Sequence, residues 1–282
     1  MHKGQFCIAA HESRASQTAF TLIELLVVIA IIAILAGMLL PALSRAKAKG
    51  QGIYCMNNQR QATLAVLMYA EDNRDVFPPN SGGDPPPSWV EGRMDWAAGN
   101  YDNTNVLLLL NAKLGPYTRN AKLYHCPADN FPARITPSFS ALRVRSISMN
   151  GYIEGNAGKF EYNGPGSSFF RSGTIRRYDK TSDVVRPTPT DLWVLVDEHP
   201  DSINDGFLIN YILDESSWAD LPASYHNGAC GFSFADGHSE IKKWQEASTI
   251  VPVKHIQYNG FTVPPGQVRD IRWRNQHTSA PL

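Results

Sequence analysis

Hydrophobic and polar positions near the N-terminus predict one long helix with two halves. Residues 20–41 form an almost uninterrupted apolar run in which Glu24 is the single charged side chain. A run of about 20 apolar residues is long enough to cross a bilayer as a helix. In residues 42–75, apolar positions recur near helical spacing between basic side chains. We therefore expect a membrane half (20–41) followed by an amphipathic half (42–75).

The amphipathic half is expected to lay an apolar stripe on a globular head. This stripe consists of Ile53, Met56, Leu64, Leu67 and Met68. The sequence Phe77-Pro78-Pro79 then ends the helix, because proline cannot continue it.

The pattern in residues 76–282 predicts a head of short strands joined by long loops. Leu192 to Asp197 is a candidate buried strand. Further along the chain, Asp236-Gly237 separates two strand-like runs, and this dipeptide is typical of a β-hairpin. The predicted fold class is α+β, in which the long helix packs on a sheet-containing head.

Overall charge adds little to this picture. The 282 residues contain 26 basic and 26 acidic side chains, and no basic tract stands out. The chain lacks the electrostatic footprint of a nucleic-acid-binding protein, and we expect no nucleic-acid partner.

The start of the apolar run carries the most specific motif. The sequence Ala19-Phe20-Thr21-Leu22-Ile23-Glu24 follows a short polar leader and resembles the processing site of type IV prepilins and type II secretion pseudopilins. The resemblance implies that residues 1–19 are a leader peptide, that a membrane peptidase cuts between Ala19 and Phe20, and that Phe20 is then N-methylated. The family usually has glycine where this chain has Ala19.

The same resemblance implies an assembly role for Phe20, Glu24 and Pro41. A free amine at Phe20 and the Glu24 carboxylate are both costly in hydrocarbon, and each becomes tolerable when it pairs with the other. Between neighbouring subunits, such a pair sets the stagger of a filament. Many pilins also carry a proline at the position of Pro41.

The resemblance also implies a topology. Basic residues lie on both sides of the apolar run, so charge alone leaves the orientation open. By resemblance, the chain crosses the bacterial inner membrane once, with a cytoplasmic N-terminus and a periplasmic or otherwise extracytoplasmic head. An ordinary signal anchor and a cleaved secretory signal remain alternatives.

The head carries a second motif. Nine residues separate His226 from Asp236-Gly237, which is followed by His238. This spacing resembles a C-terminal signature found in a large group of prepilin-like proteins whose heads have no assigned biochemical function. Four further segments fit that group: Cys55 to Gln61, Tyr69 followed by Phe77-Pro78, Cys126 to Asp129, and Ser148 to Gly151.

Two interpretations of His226, Asp236, Gly237 and His238 are open. Imidazole and carboxylate groups can bind a metal or act as acid and base. We favour a structural role, in which Asp236-Gly237 shapes a turn and His226 bonds to a neighbouring loop, and we expect no metal and no cofactor. Calcium is a weaker option, because the spaced acids of an EF-hand are absent from the sequence. We likewise expect Asp197-Glu198-His199 to be a strand end and a polar loop.

The cysteines suggest a possible disulfide. Cys7 would leave with the leader, which leaves Cys55, Cys126 and Cys230. We prefer the pair Cys55 and Cys126, whose loop of about 70 residues would contribute roughly 4 kcal/mol in the chain-entropy model. Sequence leaves the pairing open, and Cys230 is expected to be buried as a small apolar residue.

Two functional classes follow from these motifs. The favoured class is a non-enzymatic pseudopilin or pilin-like subunit whose partners are the prepilin peptidase and methyltransferase, other pilins or pseudopilins, and an inner-membrane assembly platform. The alternative is a membrane-anchored extracytoplasmic protein that binds a ligand such as a polysaccharide; an anchored hydrolase is a third, weaker option. Aromatic side chains that could stack on a sugar are Trp89, Trp96, Trp193, Trp218 and Trp244.

Overall fold

The computed structural model describes residues 21–80, 87–155, 175–258 and 260–282. The chain divides into two compact units, the first ending at Arg45 and the second running from Ala46 to Leu282. The predicted cleavage site between Ala19 and Phe20 lies outside the described residues, as does Cys7.

The predicted long helix is confirmed as α1, which runs from Leu22 to Asp72. It continues without interruption through Pro41, Gly50 and Gly52. By length and composition, α1 is the one helix among the described residues that could cross a membrane. The chain leaves the helix through Arg74 and Asp75, both at positive φ, and then enters the predicted proline segment.

The predicted apolar stripe on α1 is wrong. Ile53, Leu64 and Met68 are 54%, 44% and 55% exposed, and Met56 and Leu67 are half-buried. The buried face instead carries small and polar side chains: Gly52, Cys55, Asn58, Gln59, Ala62, Thr63, Ala65, Val66 and Ala70. Small side chains let the helix backbone approach the sheet closely, and the polar ones bond to groups beneath them. The spacing of apolar residues therefore predicted the wrong buried face of α1.

Among the residues that the structure describes, the head contains nine strands and three further α-helices. The strands are β1 (Ala133–Thr136), β2 (Phe139–Ala141), β3 (Ile147–Asn150), β4 (Trp193–Asp197), β5 (Phe207–Leu208), β6 (Ser217–Trp218), β7 (Ala229–Phe234), β8 (Ser239–Lys243) and β9 (Phe261–Thr262). The helices are α2 (Leu107–Leu110), α3 (Gly115–Thr118) and α4 (Arg269–Thr278).

Five strands form the main sheet in the order β5-β3-β4-β7-β8. Only the β3–β5 pair within this sheet is parallel. Strands β1 and β2 form a separate hairpin, and β6 pairs with β9. The predicted α+β class is confirmed, and so is the predicted buried strand, which is β4.

The predicted Asp-Gly hairpin is also confirmed, because β7 and β8 pair antiparallel across it. Gly237 has a φ of +90°, a conformation that a residue with a Cβ atom rarely adopts. Thr63 Oγ1 lies 2.6 Å from Ser233 Oγ of β7, and this buried contact connects α1 to the sheet.

Buried Asn150 ties three parts of the head together at the end of β3. Its amide nitrogen donates to the carbonyl oxygens of Trp193 and Thr278, both at 2.9 Å, and its Oδ1 accepts from the N–H of Tyr152 at 3.0 Å. This accounts for asparagine in the Ser148 to Gly151 segment, since no apolar side chain could serve all three groups.

Asn150→Ala is expected to destabilise the head by at least about 1–3 kcal/mol, the cost of leaving a single buried polar group unpaired. Near-UV circular dichroism during thermal unfolding of the full chain in detergent measures this effect. Asn73→Ala is the matched control, because Asn73 makes an exposed bond to the Tyr69 carbonyl. Equal melting temperatures for the two variants would contradict the role given to Asn150.

Candidate functional site

Four potential ligand side chains converge beneath α1. Cys55 comes from α1, Cys126 follows a 3₁₀ turn, Asp197 ends β4, and His226 precedes β7. One ligand atom from each residue lies within 4.8 Å of those of the other three, and all four residues are buried. We call these four residues the thiol–imidazole cluster.

Direct contacts connect the members of the cluster. Cys55 Sγ lies 2.8 Å from Asp197 Oδ2, and Cys126 Sγ lies 3.4 Å from His226 Nε2. His226 Nε2 is in turn 4.0 Å from Asp197 Oδ2. The imidazole therefore points Nε2 into the cluster.

Neighbouring groups hold the Asp197 end of the cluster. The backbone N–H of Gly231 donates to Asp197 Oδ2 at 3.1 Å. The side-chain amide of Gln59 lies 3.9 Å from Cys55 Sγ, one helical turn further along α1. The Gly231 N–H therefore holds the Asp197 carboxylate, and the Gln59 amide holds the Cys55 thiol.

Two glycines allow α1 to approach the sheet this closely. A Cβ atom on Gly52 would lie 3.4 Å from His226 Cγ, and one on Gly231 would lie 3.0 Å from the Gln59 amide. The second distance is too tight for an ordinary packed side chain. Glycine at both positions brings Cys55 within reach of the residues below it.

Burial controls the protonation of the cluster. It raises the pKa of the Cys55 thiol well above its ordinary value, and it raises the pKa of Cys126 as well. Burial also raises the pKa of Asp197 to about 6 and lowers the pKa of His226. At neutral pH both thiols are therefore protonated and the imidazole is uncharged, which disfavours a thiolate nucleophile.

The predicted disulfide partners lie in this cluster. Cys55 and Cys126 are free thiols in the structure, as is Cys230. A disulfide between Cys55 and Cys126 therefore stays a prediction, although the fold brings these two sulfur atoms within 4.8 Å of each other. Cys230 is buried in β7, as expected.

The residues of the C-terminal signature do not form one site. His226 lies before β7 in the thiol–imidazole cluster, whereas Asp236 and His238 lie beyond the other end of that six-residue strand. Asp236 Oδ1 is 2.6 Å from His238 Nδ1 at the partly exposed turn, and the His238 ring stacks on Phe234. The structure therefore separates His226 from the two residues with which the metal interpretation grouped it.

The Cys126 to Asp129 segment carries a second buried feature. Asp129 Oδ2 lies 3.4 Å from an Nη2 atom of Arg143, and both side chains are almost fully buried. Arg143 also donates to the Pro200 carbonyl at 2.7 Å and lies over the Trp96 ring. This ion pair anchors the loop that presents Cys126 to the cluster.

The tryptophans offer little open aromatic surface. Trp89, Trp193, Trp218 and Trp244 are each at most 2% exposed, so they belong to the core. Trp96 is half-buried between the ring of His255 and the guanidinium of Arg143. These five side chains therefore do not form the exposed aromatic surface that a polysaccharide-binding head would need for stacking.

Glu24 participates in a hydrogen-bonded cap at the start of α1. Its Oε2 atom accepts from the backbone N–H of Thr21 at 2.9 Å and from the Thr21 hydroxyl at 2.8 Å. The Glu24 N–H donates to Thr21 Oγ1 at 3.2 Å, which completes a reciprocal capping box. The Glu24 carboxylate thus accepts hydrogen bonds from donors at the N-terminal end of α1, in addition to any role in assembly.

Comparison with known proteins supports the N-terminal motif. Residues 14–40 match the family model described as the prokaryotic N-terminal methylation motif. The match, which includes the start of the apolar helix α1, supports a type IV pilin-like protein with a prepilin-type N-terminus. Neither the curated proteins nor the solved structures contain a significant match to the chain.

The thiol–imidazole cluster is not predicted by the sequence, although each of its members carries a prediction. The sequence predicts a Cys55–Cys126 pair, groups His226 with Asp236 and His238, and assigns Asp197 to a strand end beside a polar loop. The available signal was the presence of Cys55, Cys126 and His226 in three of the segments shared with prepilin-like heads. Their separations along the chain are too long to resemble any local metal-binding motif.

Proposed function

We propose that this protein is a structural subunit of a pilin-like filament. A prepilin peptidase cleaves it between Ala19 and Phe20, Phe20 is N-methylated, and the membrane half of α1 packs against other subunits. The observation that carries this proposal is the methylation motif at residues 14–40, which includes the apolar start of α1. No catalytic activity is needed for this role.

Within that class, we propose a pseudopilin of a type II secretion system or a subunit of a type IV pilus-like filament. Its partners are the peptidase and methyltransferase, other pilins or pseudopilins, and an inner-membrane assembly platform. The chain crosses the inner membrane once, with its N-terminus in the cytoplasm and its head on the extracytoplasmic side.

The exposed apolar side chains on the second half of α1 support assembly through the helix. Ile53, Leu64 and Met68 are about half exposed. They are open to contact with the helix or head of a neighbouring subunit, whose packing would remove them from water.

Mass spectrometry of the N-terminal peptide tests the proposal. In cells with the prepilin peptidase, we expect a peptide that begins with N-methylated Phe20; without the peptidase, we expect the uncut leader. Because the position before the cut requires a small residue, Ala19→Gly should be processed at least as well as the wild type, and Ala19→Leu should remain uncut.

An uncut wild-type chain in the presence of active peptidase would contradict the proposed processing. The membrane-anchored binding protein would then become the better interpretation. A second outcome, cleavage inside the apolar run after a small residue such as Ala36, would indicate an ordinary secretory signal instead.

A further inference from the structure

We propose that the thiol–imidazole cluster of Cys55, Cys126, Asp197 and His226 is a structural zinc site. The proposal does not depend on filament assembly, because all four residues lie within the second compact unit of the chain.

The size of the cluster matches a tetrahedral zinc site. Bond lengths of about 2.0 Å to oxygen or nitrogen and 2.3 Å to sulfur place tetrahedral ligand atoms about 3.3–3.8 Å apart. In the structure, Cys55 to Asp197 is 2.8 Å, Cys126 to His226 is 3.4 Å, and His226 to Asp197 is 4.0 Å. One separation lies within the required range, one is shorter and one is longer, so small side-chain movements would bring all three into it.

The chemistry of the donors selects the metal. Two thiols and one imidazole favour zinc over calcium or magnesium, which prefer oxygen ligands. Four protein ligands fill a tetrahedral coordination shell and leave no open position for a substrate, which is the arrangement of a structural zinc site.

Burial of the cluster becomes understandable with a cation at its centre. Asp197 and His226 are buried polar side chains, and burial opposes charge on each of them unless a partner compensates it. A divalent cation reverses this preference, because it deprotonates the coordinating thiols and compensates the charge of the carboxylate.

The surrounding groups suit the outer shell of such a site. Gln59 approaches the sulfur of Cys55, and the Gly231 N–H bonds to the Asp197 carboxylate. Donors to the ligands orient them and tune their affinity for the metal. A groove of about 300 Å³, lined by Gly52, Ile241 and His226 among other residues, provides an entry path to the imidazole.

A disulfide between Cys55 and Cys126 is the competing use of the same sulfur atoms. It would account for two members of the cluster but would leave Asp197 and His226 buried beside it without a role. Zinc coordination uses all four residues and joins α1 to three separate segments of the head, so we favour the metal.

Metal analysis of the full chain in detergent provides the first test. Protein purified without chelators should contain about one zinc ion per chain. After removal of zinc under reducing conditions, cobalt(II) should produce sulfur-to-metal charge-transfer absorption and the visible bands of a tetrahedral centre. Returning zinc should displace the cobalt and raise the melting temperature of the head.

Matched substitutions identify the ligands. Cys126→Ser and His226→Gln should weaken zinc binding by more than the roughly 10–100-fold that loss of an outer-shell partner costs. Cys230→Ser and His238→Gln are the controls, since each removes the same chemical group outside the cluster. Both controls should retain the zinc content and the cobalt spectrum of the wild type.

Three results would overturn the proposal. The first is wild-type protein with reduced thiols that takes up neither zinc nor cobalt. The second is a native chain that contains no zinc and is two hydrogens lighter through a Cys55–Cys126 disulfide. The third is His226→Gln protein that binds zinc as tightly as the wild type. The first two use wild-type protein, so the proposal can be overturned even where a variant fails to fold.

Discussion

Glu24→Gln is expected to abolish filament assembly without preventing cleavage. Glutamine can replace glutamate in a capping box, so the hydrogen bonds with Thr21 should persist. The substitution removes only the negative charge, and the amine of processed Phe20 then lacks its partner in the membrane. Because an unpaired charge in hydrocarbon is costly, we expect the yield of assembled subunits to fall by more than about tenfold.

Two companion variants separate charge from capping. Thr21→Ala breaks the reciprocal cap but keeps the carboxylate, so it should weaken the start of α1 and still assemble. Glu24→Ala removes both functions and should assemble no better than Glu24→Gln. Sedimentation of sheared filaments measures assembly, and the mass of the N-terminal peptide confirms processing in each variant. Normal assembly of Glu24→Gln would show that the acid serves only as a cap.

Asp129→Ala is expected to have the largest effect on the stability of the head. Asp129 is the acidic partner of Arg143, and both side chains are almost fully buried. Removing one member of a buried ion pair leaves an uncompensated charge and typically costs about 3–5 kcal/mol. For a chain of this size, that loss would lower the melting temperature by roughly 6–20 °C.

The control is Asp236→Ala, which removes the carboxylate paired with His238 at a partly exposed turn. Exposed pairs contribute about 0–1 kcal/mol, so its melting temperature should remain close to that of the wild type. The double variant Asp129→Ala/Arg143→Met should be more stable than Asp129→Ala alone, because it also removes the orphaned charge. A double variant that is less stable than the single one would assign the effect to packing instead.

The sequence alone was sufficient for the N-terminal motif and the apolar segment of this protein. An apolar run with one acid, a short polar leader and a small residue before Phe20 identify the prepilin-type start, and each of these features is local. The β7–β8 hairpin was predictable for the same reason, since the Asp236-Gly237 turn and the strands beside it are adjacent in the chain.

The face of α1 that packs on the head could not be predicted from periodicity. Leu64 and Met68 follow helical spacing, yet both are exposed, while Gln59 and Thr63 are buried. The sheet offers polar partners at Ser233 and Asp197 and a glycine at position 231, so close approach and hydrogen bonding outweighed side-chain hydrophobicity.

The thiol–imidazole cluster depended entirely on the tertiary structure. Its members are separated by 142 residues between Cys55 and Asp197 and by 100 residues between Cys126 and His226. No local pattern specifies which distant side chains meet, because that depends on the strand order of the sheet and on how closely α1 packs against it. The sequence therefore determined the N-terminal motif and the apolar helix, whereas only the folded head brought the four potential ligands together.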